Sequence, residues 1–163
     1  MTDPLDDLAG WLQPLITALQ PAERRRLALR IARELRRETQ ASMRAQQSPD
    51  GEPWQARRAR IVLAHGVRSD AQRARQRRGP MMVKLRQARY LPTTATPDEA
   101  ALTFAGRVLR IARVHHLGLT DRVAPDGPTH DYAARPLIGL GADGIQRLKS
   151  IVLDHLADAL QKK

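Results

Sequence analysis

Apolar residues recur at helical spacing near both ends of the chain, and at strand spacing in a short stretch between. Asp3-Pro4 offers an N-cap followed by a first-turn proline. Leu5, Leu8, Leu12, Leu15 and Leu19 then follow at three- and four-residue intervals. That spacing predicts an amphipathic helix, which Pro14 should kink or split. Pro21 opens a second helix. Leu27, Ile31, Leu35 and Met43 mark one face with Thr39 in register, while Arg24, Arg25, Arg30, Arg33, Arg36 and Arg37 mostly take the others. The Ser48-Pro-Asp-Gly51 turn stops it, leaving a helix of about six turns.

Residues 52–80 hold no sustained period. Ile61-Val-Leu63 is an isolated apolar island, and Gly79-Pro80 ends the stretch. Residues 81–89 could form a short helix with Met82, Leu85 and Arg89 on one side. Residues 90–96 are rich in threonine and read as a strand, with Pro92 arguing for an edge position. Pro97-Asp98 is a turn, and residues 100–104 alternate as a second strand, so 90–104 predicts a hairpin. Residues 108–116 are apolar at 108, 109, 111, 112 and 114, a pattern equally compatible with a helical turn or a strand. Residues 118–128 read as loop. Residues 132–138 read as extended, because Pro136 pushes Arg135 out of the α region before Leu137 and Ile138 enter the core. From Asp143 a final helix carries Ile145, Leu148, Ile151, Val152, His155, Leu156 and Ala159 on its stripe. The expected fold class is α+β: N-terminal helices, a long basic arm over 52–80, a small antiparallel sheet and a long C-terminal helix. At 163 residues the chain suits a single domain over 1–163.

Composition narrows the chemistry. The core must be built with few aromatics: 2 Trp, 2 Tyr and 1 Phe. There is no cysteine, which excludes disulfides, cysteine zinc sites, thiol nucleophiles and iron–sulfur clusters. No apolar run is long enough to span a bilayer, so no membrane partner is expected. The acidic start, Met1-Thr-Asp-Pro-Leu-Asp-Asp, lacks a basic-then-apolar signal pattern, and the default expectation is a cytoplasmic location.

The net charge is +11, and it is concentrated. Residues 1–40 carry 7 Arg against 6 Asp+Glu, and residues 91–163 carry 9 Lys+Arg against 8 Asp+Glu. Residues 41–90 carry 12 against 3, a local +9. Arginine outnumbers lysine 24 to 4; so broad a bias also marks genome composition, and is not by itself a sign of phosphate recognition. Arg57, Arg58, Arg60, Arg68, Arg73, Arg75, Arg77 and Arg78 make up the arm. Mutual repulsion and scarce apolar surface predict mobility in isolation. The arm is then either solvated surface or a segment that orders against an acidic neighbour or near DNA. Trp54 and Tyr90 flank it rather than punctuate it, which argues against base stacking. Any nucleic-acid contact would be unspecific and salt-sensitive.

Other candidates are weighed as chemistry or as packing. His115 and His116 are adjacent and cannot aim at one metal from a regular element. Neither they nor His65, His130 and His155 stand at zinc-protease spacing. One ring of the 115–116 pair is expected buried and the other exposed, with His155 packed on the last helix. The serines lack a nucleophile-elbow context, and Gly139-Leu-Gly141 is too short for a phosphate loop. No catalytic constellation, metal site or cofactor is expected. Trp54 reads either as an anchor for the extended segment or as a subunit hot spot, and Trp11 invites the same two readings. Arg135 reads as structural, paired with an acidic neighbour, or as an interface residue.

Six patches in order carry a resemblance: Leu19-Gln-Pro-Ala-Glu-Arg-Arg-Arg-Leu27, Gln47-Ser-Pro-Asp-Gly-Glu-Pro-Trp54, Arg78-Gly-Pro-Met-Met-Val-Lys-Leu85 before Tyr90-Leu91, Arg110-Ile-Ala-Arg-Val-His-His-Leu-Gly118, Tyr132-Ala-Ala-Arg-Pro-Leu-Ile-Gly-Leu140 and Ile151-Val-Leu-Asp-His-Leu156. Their order and spacing over roughly residues 15–160 resemble the phage virion morphogenesis family, tail-completion proteins of contractile-tailed and Mu-like phages. The resemblance implies a structural protein of the virion, present in the host cytoplasm during assembly. It would finish the head-proximal end of the tail and enable head–tail joining as a ring-forming neck or tail-terminus component. Implied partners are further copies of itself, tail tube or tail terminator proteins, neck or connector proteins, and genomic DNA in the lumen without sequence preference. Two departures stand out. Members usually have Ser at the position of Gln20, where it would complete a capping box with Glu23, and often have Ser near Gly141 as the cap of the last helix. Each change should weaken a cap by about 1 kcal/mol. A competing reading is a small basic, non-specific nucleic-acid-binding protein. The +9 segment favours it; the lack of a helix-turn-helix signal and of stacking aromatics opposes it.

Overall fold

The computed structural model describes residue 13, residues 19–56, 79–122 and 126–161. The first helix (apart from Gln13, which is helical, and Leu19), its Pro14 kink, Trp11, the Ile61 island and His65 lie outside the described residues.

Helix α1 spans Pro21–Ala45. Proline sits in its first turn, where the missing N–H has no intrahelical partner to lose. Gln20 is the N-cap, with extended backbone and no side-chain capping bond. The helix ends where Gln46 turns left-handed at φ 61° and its N–H reaches the carbonyls of Met43 and Ser42. Leu27, Ala28, Ala32, Thr39 and Met43 are buried along it. The small alanines beside the leucine stripe let neighbours pack on two sides of one helix.

On one side lies α3, Ala142–Gln161. Leu27 and Val152 form the centre of this interface, surrounded by Leu19, Ile31, Ile145, Ile151 and Leu156. Each such large side chain removed from water contributes about 1.5–3 kcal/mol. Polar groups rim the seam. Arg147 reaches Glu38 at 2.6 Å, Arg30 lies 3.7 Å from Asp158, and the buried His155 holds Nε2 3.1 Å from the Glu23 carbonyl. A carbonyl only accepts, so Nε2 carries the proton and Nδ1 faces the Arg30 guanidinium at 3.5 Å.

The expected hairpin packs on another side of α1. Strands β1 (Thr93–Ala95) and β2 (Ala100–Leu102) pair antiparallel with Thr93 opposite Leu102 and Ala95 opposite Ala100. The pairing continues beyond the strands, with Thr103 N–H donating to the Pro92 carbonyl and Ala105 N–H to that of Tyr90. Pro92 therefore takes part only as an acceptor.

Three expectations change. Residues 81–89 do not form a helix: they make separate turns and a 3-10 helix over Ala88–Tyr90. Met82 has φ 60°, and the Met81 backbone is occupied on both sides by the Gln46 amide. Residues 108–116, open between helix and strand, belong to helix α2, Gly106–Leu117. It stops at Gly118, at φ 69°, where an added Cβ would lie 2.7 Å from the Ala134 nitrogen. The stretch expected as loop contains β3 (Thr120–Arg122), which pairs with β4 (Thr129–Asp131) in a second two-stranded sheet. Three helices and two small antiparallel sheets among the described residues make the architecture α+β.

Candidate assembly surface

A second cluster gathers the C-terminal end of α1, the 81–85 turn, α2 and the extended 132–138 segment. Met43, Trp54, Met81, Leu85, Ala112 and Leu137 are its buried members. The sequence dictates how the segment docks. Leu119 follows the left-handed glycine, so its carbonyl accepts from Tyr132 N–H at 3.3 Å, and the last turn of α2 offers the His115 carbonyl to Arg135 N–H at 2.7 Å. His116 Nδ1 accepts from Leu137 N–H at 2.9 Å, and His115 meets the Tyr132 ring edge-on at 4.9 Å. Both histidines are half-buried, so the expected division into one buried and one exposed ring is not found. Each instead holds a different part of the same segment.

Trp54 and Arg135 come together inside this cluster. The Trp54 indole N–H donates to the Pro136 carbonyl at 3.3 Å. The Arg135 guanidinium donates to the Gln55 carbonyl from Nε at 3.2 Å and Nη2 at 2.9 Å, and to the Ala133 carbonyl from Nη1 at 3.2 Å. Both side chains are buried. Residues 54–55 and 133–136 are thus clasped reciprocally by one indole and one planar fork.

Gln46 is a residue that sequence reading passed over. Its carbonyl accepts from Trp54 N–H at 2.9 Å. Its side-chain amide receives Met81 N–H at 2.6 Å and donates to the Met81 carbonyl at 3.0 Å. The chain on either side of the basic segment is therefore fastened to the same residue. Arg57, Arg58, Arg60, Arg68, Arg73, Arg75, Arg77 and Arg78 themselves lie outside the described residues. A glutamine just past a helix stop has no pattern that marks it in advance for this role.

Electrostatics on the described surface divide by element. The outer part of α1 is laced internally, with Arg37 on Glu34 at 2.5 Å and Arg26 on Glu23 at 2.5 Å. The Arg37 hydrogen bonds hold the Glu34 carboxyl below its ordinary range against the opposing effect of burial, with help from the charges of Arg37 and Arg147. Around α2 the balance is basic. Arg89 and Arg107 both lie over the Tyr90 ring, at 4.8 and 4.9 Å, where the ring face attracts cations. No group of His, Asp and Glu among the described residues could hold a metal ion, and no described helix is long and apolar enough to cross a membrane. What this surface offers is charge and shape for contact.

Comparison with known proteins agrees with that character. The chain belongs to the phage virion morphogenesis family, whose model matches residues 3–157. It is similar to tail completion protein S of Escherichia phage P2, with 36% identity over 146 residues, covering 89% of this chain and 92% of that protein. No solved structure gives a significant match.

Proposed function

We propose that this chain is a structural tail-completion protein of a phage or prophage-derived particle. It finishes the head-proximal end of the tail and makes it competent to join a head, acting as a ring-forming neck or tail-terminus component of a contractile tail. The observation that carries this reading is similarity to tail completion protein S along nearly the whole of both chains. Similarity of that extent covers the fold as a unit, and the chain from 1 to 163 is taken as one domain. The protein resides in the virion and passes through the host cytoplasm during assembly. Its partners are further copies of itself, tail tube or terminator proteins and neck or connector proteins, and it works without catalysis or a cofactor.

The basic segment is the assembly arm in this reading, contacting an acidic neighbour or DNA in the lumen without sequence preference. Ordering an arm costs roughly 1–2 kcal/mol per residue in backbone entropy, which favours ordering only when a partner supplies opposing charge. Inactivating the gene tests the function. The expected result under the electron microscope is filled heads and separate tails in the same lysate. Joined particles at normal yield would refute it. The +9 segment also supports a second reading, a non-specific nucleic-acid-binding protein; tight DNA binding at near-physiological salt by the isolated protein would favour that one.

A further inference from the structure

Helix α2 presents an outer face on which leucine and isoleucine alternate with arginine. Leu109, Ile111 and Leu117 are 51%, 45% and 52% exposed. Arg107, Arg110 and Arg113 stand between them, and α2 contains no carboxylate. Arg110 is paired with Asp121, whereas Arg107 and Arg113 have no ion pair among the described residues. Leu109, Arg113 and Leu117 lie four residues apart and form one row on the helix. A face of this composition gains from being covered by apolar surface and from meeting negative charge.

It cannot be covered by its own copy. An isologous contact would set arginine against arginine, and like charge across an interface is strongly unfavourable. The chain carries the complement elsewhere. The outer face of α3 presents Asp143, Ser150, Leu153, Asp154 and Ala157, all exposed. Leu153 is 49% exposed. Asp143 and Asp154 have no ion pair among the described residues. The two faces are far apart in packing terms. Helix α3 belongs to the Leu27–Val152 cluster, and α2 contributes Ala112 to the cluster around Met43 and Trp54.

Resting on the ring-forming reading above, we infer that copies of this chain associate head to tail, the basic apolar face of α2 docking on the acidic apolar face of α3 of the next copy. Each copy offers one face of each kind, so every contact leaves another face open. Such a heterologous interface propagates until rotation closes it into a ring. The apolar side chains supply burial, and the charges fix which face meets which.

Charge reversal on the purified full chain tests this, with native mass spectrometry and sedimentation at micromolar concentration as readouts. The wild type is expected to form a closed oligomer that loosens as salt rises. Arg113→Glu and Asp154→Arg are both exposed changes, so each variant should melt like the wild type. Each alone should be monomeric. An equimolar mixture of the two should reassemble, because each reversed face then meets its reversed complement in strict alternation. A wild type that stays monomeric, an Asp154→Arg variant that still assembles, or a mixture that stays monomeric would overturn the inference. The assay involves no other tail component. Its failure would leave the tail-completion reading standing, whereas joined particles without the gene would remove that reading and leave this interface intact.

Discussion

Gln20 has the backbone of an N-cap and none of its chemistry. Serine there would accept from the first-turn N–H groups while Glu23 returned a bond to residue 20. Gln20→Ser is expected to raise stability by about 1 kcal/mol, read by thermal melting. The same change at Gly141 should have the opposite sign. Serine is a good cap by type, but a Cβ at 141 would lie 2.3 Å from the Pro49 carbonyl oxygen. Backbone atoms cannot step aside cheaply, so Gly141→Ser should cost about 1–3 kcal/mol in the same assay. The two departures from the family pattern therefore differ physically: one is a missing cap, the other a close approach of the Ser48–Gly51 turn. Arg135 is a third residue whose role depends on shape. Its fork spans the carbonyls of Gln55 and Ala133, and charged hydrogen bonds of this kind contribute about 1.5–3 kcal/mol. Arg135→Lys should lose most of that in denaturant unfolding, since one ammonium cannot reproduce a planar fork.

Helix α1 is the element on which the others meet, and its acid behaviour follows from Glu34. Arg37 holds the Glu34 carboxyl below its ordinary range, so the unfolded chain binds that proton more readily than the folded one. The stabilisation is complete above the ordinary carboxylate range and disappears as pH falls through the lowered folded value. Glu34→Gln should be less stable than wild type at neutral pH, and the gap should close in acid. Melting at a series of pH values reads this directly; a gap that persists in acid would mean the effect is not electrostatic.

The long helices were legible because their stripes repeat over many turns: Leu27 to Met43, and Ile145 to Leu156. The β1–β2 hairpin was legible from the threonine run and the Pro97-Asp98 turn. Strands β3 and β4 were not. Thr120-Asp-Arg and Thr129-His-Asp are three residues each, polar throughout, and pair with no apolar alternation to announce them. The turns at 81–89 were misread because Met82 and Leu85 have helical spacing, while the reason against a helix lies 35 residues away in the Gln46 amide. Trp54 and Arg135 were picked out by residue type. Their mutual clasp depends on tertiary geometry that no local pattern encodes.

At the scale of the molecule, the charge divides into near-neutral parts and one segment at +9. The described anchors at Trp54, Gln46, Met81 and Arg135 lie outside that run of arginines, so fold and arm should be separable by mutation. Replacing Arg73, Arg75, Arg77 and Arg78 together by Ser should leave the melting transition unchanged and reduce the yield of joined particles in a complementation assay. Normal yield would make the segment solvated surface only. The central claim is a position: this chain sits where the tail meets the head. Gold labelling of the chain on purified particles, viewed by electron microscopy, tests that most directly. The account predicts label confined to the head-proximal end of the tail. Label spread along the tail, at its distal tip, or absent from particles altogether would contradict it.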